Sequence, residues 1–418
     1  MNTSPRRLLI LGAGTAGTIV ANKLSRELPP DDWRITIIDQ NDTHHYQPGF
    51  LFVPFQPRAI GHLTRSRRAL LRPGVDFLQC EVDGVDPDAQ TVHLSNGRSV
   101  PYDYLLVATG CQPRPDQTPG MLGPRWRSSV HEFYTVEGAY ALRSALRGFT
   151  EGRLAVHVTD VPFKCPVAPL EFTFLVDDLL RRLGRRDRVQ LTYVTPMSGA
   201  FTKPVASQRL GSMLADRGIA LEPDFYVDHI DQNRGTLVSY DEREVGYDLL
   251  VTVPLNMGAG FVGRSDLGDE LNYVPVDPHT LRSRVHPNVF AIGDAADLPT
   301  SKAGSVAHYA AEVFTHNFLN LARGRPFDAC FDGHANCFIE SGRGKALLID
   351  FDYDHEPLPG RYPFRHVGPL SLLDETRANH VGKLAFQWLY WNVLLPGHPL
   401  PVPSPHASSP TETSPAVH

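Results

Sequence analysis

The five cysteines of this 418-residue chain, at positions 80, 111, 165, 330 and 337, are the residues that could do the most varied chemistry. Their number is odd and their spacing is wide. There is no CxxC pair or Cys/His cluster of the kind that holds structural zinc. A chain of this length also does not need disulfides to fold. The sequence therefore predicts no metal site, and a cysteine pair is better interpreted as redox chemistry.

Cys165 and Cys337 stand in the most suggestive contexts. Cys165 lies between a predicted strand and a predicted helix at 172–183, where a helix dipole can stabilise a thiolate and make it reactive. Glu171 stands at the start of that helix, where it could shuttle protons or simply favour the dipole. Packing as small buried residues is the alternative for both cysteines. Cys80, Cys111 and Cys330 are assigned to packing.

A glycine pattern near the N-terminus indicates a bound dinucleotide. The pattern is Gly12, Gly14, Ala16 and Gly17, and it lies between a predicted strand at 7–11 and a predicted helix at 18–28. The first glycine permits a tight turn, the second lets a pyrophosphate approach the backbone, and the last allows close helix–strand packing. The next predicted strand, 33–38, ends at Asp39, whose carboxylate can hold a ribose hydroxyl.

Two later segments resemble the marks of glutathione-reductase-like flavoproteins. Residues 102–110 predict a strand that ends at Thr109 and Gly110, and residues 289–295 predict a strand that ends at Gly293 and Asp294. The resemblance implies FAD, with Asp294 at its ribityl–phosphate region. It implies an α/β fold of two tandem Rossmann-like dinucleotide-binding domains. A C-terminal domain with an amphipathic membrane-surface helix is expected to follow them.

The second glycine motif of most such flavoproteins is missing. Residues 152–162 predict a strand, but no GxGxxG follows it, so a second pyrophosphate would have no close backbone cradle. The CxxxxC pair of the disulfide reductases is also absent near the first helix. Both absences argue against a nicotinamide-dependent reductase.

In these features the chain resembles the sulfide:quinone oxidoreductases, relatives of flavocytochrome c sulfide dehydrogenase, over about residues 7–397. The resemblance rests on the N-terminal glycines, the Cys165 segment with Glu171, the Gly293-Asp294 segment and the Cys337 segment. It implies that Cys165 and Cys337 flank the flavin, that both carry sulfur and that one forms an adduct with the ring. Sulfide would be oxidised to sulfane sulfur, and the electrons would pass through FAD to a membrane quinone. Further cofactor contacts are implied for Thr109, Gly110, Lys302, Gly304 and Lys345.

One departure concerns a third cysteine that many bacterial members carry in a His-x-x-Cys-Thr segment. Here the segment is residues 131–135, and Tyr134 stands at the position of that cysteine. A two-cysteine site is therefore implied. The length of the sulfur chain, the sulfur acceptor and the identity of the flavin-bonded cysteine stay open.

Residues 381–395 predict a helix that holds two of the four tryptophans. It is too short to span a bilayer, but Trp and Tyr suit a membrane interface. By resemblance Phe338 and Trp391 would contact the quinone. The alternative is a helix buried against the FAD domain or against a partner copy. With no signal-peptide core, we expect a peripheral, monotopic protein on the cytoplasmic face of a membrane.

The net charge of -6 gives no basic field that would attract nucleic acid. Arginine runs at 65–72 and 181–188 are interpreted as solvated surface. The sequence leaves open whether the chain forms a homo-oligomer. The predicted organisation is an FAD domain at 1–110 and 276–325, a second Rossmann-like domain at 111–275, a C-terminal flavin, quinone and membrane region at 326–398, and a disordered tail at 399–418.

Two other functions stay open at this point. One is a type II NADH:quinone oxidoreductase, which shares fold, FAD and membrane attachment but needs a nucleotide cradle. The other is a flavin-bearing carrier whose cysteines hold persulfide for a partner without turnover.

Overall fold

A computed structural model describes residues 4–56, 60–364 and 367–399. The predicted disordered tail lies outside these residues except for Pro399. The described chain contains two five-stranded sheets in which neighbouring strands run parallel, and a four-stranded C-terminal sheet. This confirms the predicted fold class of two Rossmann-like units followed by a C-terminal domain. The domain boundaries stay a prediction.

The first sheet carries the N-terminal glycine pattern. Its strands, in spatial order, are Val289–Ala291, Tyr104–Val107, Arg6–Leu11, Trp33–Asp39 and Val75–Gln79. They read as near-continuous apolar runs because a parallel sheet is covered on both faces. The helices Thr15–Glu27 and Gly304–Ala322 pack against each other. An antiparallel meander of Val82–Asp86, Thr91–Leu94 and Ser99–Pro101 stands beside this sheet.

The second sheet repeats the plan without the glycines. Its strands, in spatial order, are Val130–His131, Leu249–Val253, Gly152–Val158, Val189–Val194 and Ala220–Glu222. Its longer helices are Val136–Gly148, Ala168–Arg182 and Pro204–Asp216. A second meander consists of Val227–Asp231, Thr236–Ser239 and Glu244–Gly246. The connection from Gly152–Val158 to Ala168–Arg182 carries Cys165.

The C-terminal sheet has the order Ala335–Gly342, Lys345–Phe351, Val367–Leu372 and Gly360–Phe364. The helix Arg377–Leu389 packs on it and continues into a π-helical turn, Tyr390–Leu394. The predicted helix at 381–395 therefore starts earlier and ends in a wider turn. The shorter helical segments are Gln47–Phe52, Ile60–Leu63, Arg67–Leu70, Pro115–Gln117, Arg186–Arg188, Gly260–Arg264 and Gly293–Ala295.

Three two-stranded pairs complete the sheets: Thr43–His45 with Thr64–Ser66, Cys111–Pro113 with Asn256–Gly258, and Val274–Pro275 with Ala296–Asp297. Within the described residues, no helix combines the length and the apolar character that crossing a membrane requires.

Gly17 decides how closely the first helix approaches the first strand. A Cβ at this position would lie 2.0 Å from the carbonyl oxygen of Gly12 and 3.2 Å from Cγ2 of Ile10. At Gly14 a Cβ would meet no atom of the described chain within 4 Å. One glycine of the pattern thus permits packing, whereas the other leaves space in front of the helix.

We expect Gly17→Ala to lower the free energy of unfolding by about 2 kcal/mol or more, since the added carbon overlaps backbone that cannot move independently. Gly14→Ala is the matched control and should change it by less than about 0.5 kcal/mol. Urea unfolding of cofactor-stripped protein measures both. A gain of about 1 kcal/mol for Gly17→Ala, as is usual for Gly→Ala in a helix, would contradict the prediction.

Candidate functional site

One cavity lies where the glycine pattern, the second sheet and the C-terminal region meet, and most of the predicted site residues line it. From the first unit come Gly14, Ala16, Thr109, Gly110, Gly293 and Asp294. Lys302 and Gly304, which follow Asp294 in the chain, also line the cavity. The second unit contributes Cys165 and Glu171, and the C-terminal sheet contributes Cys337 and Phe338. The carboxyl ends of parallel strands meet at such a crevice, where ligands of these folds bind.

The glycine side of the cavity fits a dinucleotide cofactor. The N-terminus of the helix Thr15–Glu27 faces the cavity, and the space in front of Gly14 is what a pyrophosphate beside the backbone needs. The hydroxyl of Thr109 is buried in the wall and has no hydrogen-bond partner among the described residues. An unsatisfied buried hydroxyl here suits a ligand with polar atoms, as FAD has.

Gly12 and Gly17 do not line the cavity. Both stand where backbone segments approach too closely to leave room for a side chain. Asp39 also stands outside the lining: its carboxylate accepts from the Ala13 amide at 2.8 Å and pairs with Arg67. It is therefore held at the end of its strand, as the predicted ribose role requires, with one oxygen already engaged by arginine.

Lys302 lines the cavity, but its ammonium group is already engaged by protein atoms. Its Nζ donates to the carbonyl oxygens of Asp294 and Ala296, both at 3.1 Å, and lies 3.5 Å from the centroid of the Tyr273 ring. Burial lowers the pKa of Lys302. The lysine thus fixes the turn that presents Asp294 to the cavity.

Lys345 does not lie where the cofactor prediction put it. It is exposed at the turn between Ala335–Gly342 and Lys345–Phe351, and it pairs with Gly342 rather than lining the cavity. Cys337 lies near the opposite end of the same hairpin, opposite Ile349. Because a strand rises by about 3.3 Å per residue, the length of the hairpin holds Lys345 away from the cavity.

Cys165 occupies a left-handed backbone conformation, with φ of 54°. Such a conformation is costly for a residue with a side chain and persists where neighbours enforce it. Here the Cys165 amide donates to Lys302 O at 2.7 Å, and the Cys165 carbonyl accepts from the Ala168 amide at 2.8 Å. The thiol is thereby fixed at the cavity wall, just before the helix Ala168–Arg182.

The surroundings of Cys165 oppose the thiolate that its position before a helix predicts. Burial, and then the nearby Glu171 carboxylate, raise the pKa of the Cys165 thiol to about 12, although Lys383 opposes this. The pKa of Cys337 is also raised, first by burial and then by the charge of Cys165. Desolvation outweighs the helix dipole here. Both cysteines are free thiols in the described structure and line the same cavity.

Tyr134, the residue at the position of the third cysteine, also lines the cavity. Its hydroxyl is buried without a hydrogen-bond partner in the described parts of the chain. Burial raises the pKa of Tyr134 well above its usual value, with the charge of Cys165 the next cause. A neutral phenol therefore takes the place where a third thiol would stand.

Cys111, assigned to packing, lines this wall as well, with its Sγ 3.8 Å from Asp294 Oδ2.

Glu171 is buried and forms an ion pair with the partly buried Lys383 of the C-terminal helix. Lys383 also donates to the carbonyl oxygen of Phe338 at 3.2 Å. Burial raises the pKa of Glu171 to about 7, while Lys383 opposes the rise. A carboxyl group with a pKa near neutral can both take and give protons at physiological pH.

Tyr390 connects the C-terminal region to the glycine loop. Its hydroxyl lies 2.7 Å from Thr15 Oγ1 and 2.7 Å from His44 Nε2. Tyr390 lines the cavity, whereas Trp391 does not. Trp391 is buried against His44 and lies beneath the Arg65 guanidinium, 4.6 Å from its carbon. The quinone contact predicted for Trp391 thus falls on a packed residue, because Tyr390 and not Trp391 shares the helix face of Lys383 and Phe386, which also line the cavity.

Sequence reasoning missed Lys383, Tyr390 and His44. The one available signal was that Lys383 is the single charged residue of the predicted helix 381–395, since a charged residue on a buried face needs a partner. Nothing in the sequence pattern paired it with Glu171. Among the described residues, no group of three or more His, Cys, Asp or Glu side chains could hold a metal ion.

The chain is similar to known proteins over most of its length. The pyridine nucleotide-disulphide oxidoreductase family matches residues 6–157. The mitochondrial sulfide:quinone oxidoreductase of Mus musculus is 25% identical over 398 residues, covering 94% of this chain and 86% of that protein. The Schizosaccharomyces pombe counterpart is 28% identical over 429 residues, covering 92% and 89%.

The fold is also found in a solved structure. The X-ray structure of the sulfide:quinone oxidoreductase from Aquifex aeolicus superimposes with a TM-score of 0.77 at 19% identity, covering 93% of this chain and 92% of that chain. The similarity therefore extends through both Rossmann-like units and the C-terminal region.

Glu171 should make stability depend on pH in a defined direction. Its pKa of about 7 in the folded protein lies above the ordinary 4.5. The favourable contribution of Glu171 to the free energy of unfolding is therefore fully present below about pH 4.5. It is lost as the pH rises through about 7, a change of about 3 kcal/mol. Glu171→Gln should flatten this part of the stability–pH curve, measured by urea unfolding. Glu27→Gln, at an exposed position, is the control, and parallel curves for Glu171→Gln and wild type would refute the assignment.

Proposed function

We propose that this chain, an FAD-dependent oxidoreductase related to the sulfide:quinone oxidoreductases, oxidises sulfide to sulfane sulfur through Cys165 and Cys337 and passes the electrons through FAD to a membrane quinone. The observation that carries the proposal is that both cysteines line one cavity with the glycine loop and Glu171. Sulfur chemistry and a dinucleotide can therefore meet in one site.

The sulfur step needs groups that attack sulfur and leave from it. With Cys165 and Cys337 joined as a disulfide, HS⁻ attacks one sulfur. A new S–S bond makes that cysteine a persulfide, and the other cysteine leaves as a thiolate. An external thiol or sulfite then takes the outer sulfur, and both cysteines are left reduced. FAD held beside Gly14 and Thr109 would supply the two-electron oxidation that rejoins the cysteines, and the quinone would be the final acceptor of the electron pair.

Lys383 makes the departure of a thiolate easier. Its ammonium lowers the pKa of both Cys165 and Cys337, against the larger effect of burial. Glu171, with a pKa of about 7, can take the proton that sulfide brings. The pair thus supplies a cation for the leaving sulfur and a base for the incoming one.

The NADH alternative is disfavoured by the second Rossmann-like unit. Where a nucleotide phosphate would lie on the helix Ala168–Arg182, the first turn contains Pro169, which has no amide hydrogen, and the buried carboxylate Glu171. A negative charge at this helix N-terminus opposes a phosphate. The carrier alternative predicts the same cysteine chemistry without turnover, so steady-state rates with soluble quinone separate it from the proposal.

Anaerobic titration of the purified flavoprotein tests the sulfur chemistry. Sulfide should bleach the flavin absorbance and NADH should not, and decylubiquinone should restore it. Cys165→Ser and Cys337→Ser should each slow sulfide bleaching by a factor of about 100 or more, because serine cannot form a persulfide. Cys80→Ser and Cys330→Ser are the controls. Bleaching by NADH alone would reject the proposal.

Membrane attachment is proposed for one face of the helix Arg377–Leu389. Val381, Leu384 and Trp388 are spaced three and four residues apart and are 62%, 54% and 65% exposed. Such a stripe suits the headgroup region of a bilayer. Phe386 and Tyr390 of the same segment line the cavity, which would bring a lipid-dissolved quinone to Phe338.

Liposome flotation tests this face. The triple change Val381→Ser, Leu384→Ser and Trp388→Ser should reduce the membrane-bound fraction at least tenfold, since it removes about 1.4 kcal/mol or more of apolar contact. Tyr240→Ser, at a 74% exposed aromatic of the second unit, is the matched control. Equal flotation of the triple variant and wild type would remove this helix as the anchor.

A further inference from the structure

Two ionisable side chains extend the Glu171–Lys383 pair away from the cavity. His380 and Lys383 lie three residues apart on the helix Arg377–Leu389, so they share a face. Glu340 lies two residues after Phe338 on the strand Ala335–Gly342, so these two side chains point to one face of the sheet. The strand and the helix are packed together.

The outer pair is a close one. His380 Nδ1 lies 2.9 Å from both carboxylate oxygens of Glu340. The side chain of Glu340 is 4% exposed, while that of His380 is 29% exposed. His380 can therefore exchange protons with water, and Glu340 cannot do so directly.

The inner pair is electrostatically connected to the outer one. The charge of Lys383 lowers the pKa of Glu340, whereas burial raises it more strongly. The backbone amide of Glu340 and its carboxylate both act on Glu171. The other nearby charges are already paired: Asp178, beside Gly342, with Arg182, and Arg217, which donates to Ser341 O, with Glu375.

We propose that His380 and Glu340 form the outer half of a proton path from solvent to the cavity, with Lys383 and Glu171 as its inner half. A proton taken up at His380 Nε2 releases the Nδ1 proton to Glu340. Glu340 then passes the proton through bridging water to Lys383, which lies beyond ion-pair distance from it, after Lys383 has given a proton inward. Both outer residues are positioning residues, since neither lines the cavity.

The reaction needs such a path, and this step rests on the proposed function. Written in full, HS⁻ + quinone + H⁺ gives one sulfane sulfur and quinol: sulfur loses two electrons, quinone gains them, and quinol holds two protons. HS⁻ supplies one of these protons, so one more must enter from water at each turnover. Of the two cavity-lining bases, Glu171 is buried, with a side chain 2% exposed, and Lys383 is partly buried, with a side chain 13% exposed.

The test isolates the quinone half-reaction. Anaerobically photoreduced protein is mixed with decylubiquinone in a stopped-flow instrument, and flavin reoxidation is followed across the pH range. Glu340→Gln, which can still accept a hydrogen bond from His380, and His380→Ala should each slow reoxidation by a factor of about 10 to 100. Imidazole should restore the rate of His380→Ala. Bleaching by sulfide should stay within about twofold of wild type.

His316→Ala is the matched control, because His316 pairs with Asp328 at the surface. A second readout does not depend on turnover. In flavin-free protein with isotopically labelled glutamate, infrared pH titration should show that His380→Ala and Lys383→Met each displace the titration of the Glu340 carboxyl.

The path is overturned if both variants keep the reoxidation rates and pH profiles of wild type. It is also overturned if His380→Ala slows flavin reoxidation and imidazole does not restore the rate. Failure of the proposed function looks different, since wild type would then not be bleached by sulfide or not be reoxidised by quinone. Loss of quinone reoxidation in wild type overturns both proposals, whereas normal wild-type turnover with unaffected variants overturns the path alone.

Discussion

The carboxylate of Glu171 is withdrawn from water, and its charge is tolerable because the ammonium group of the partly buried Lys383 is paired with it. The pair joins a helix of the second Rossmann-like unit to the C-terminal helix. Through its bond to Phe338 O it also reaches the strand that carries Cys337. Removal of either partner would leave an uncompensated buried charge, which ordinarily costs several kcal/mol. The packing of three distant segments around the cavity therefore depends on this contact.

The same exclusion of water determines the state of the sulfur atoms. A thiol with a pKa of about 12, as at Cys165, is a weak nucleophile near neutral pH. Such a site is better suited to receive an anion at a disulfide than to launch an attack of its own. Lys383 opposes the rise of the pKa at both cysteines, so in the proposed reaction the lysine that helps to pack the site would also favour the departing thiolate.

The sequence was informative where a requirement is local. Gly17 must lack a side chain because Gly12 O is adjacent, and that need is visible within six residues of chain. Lys383 could not be predicted, since its partner is 212 residues away. Trp391 was predicted to meet the quinone, but Tyr390 is the residue that follows Lys383 and Phe386 on the helix face lining the cavity. Lys345 was misplaced because motif similarity does not reveal how far along a hairpin a residue lies.

Tyr390 and Thr15 are bonded across 375 residues of sequence. During synthesis the glycine loop leaves the ribosome early, whereas the residue that closes over it is among the last of the described chain to be made. The N-terminal sheet also lacks its edge strand Val289–Ala291 until late in translation. A nascent chain that lacks this edge strand and Tyr390 has only part of the crevice around the glycine loop, so the crevice is completed late in translation.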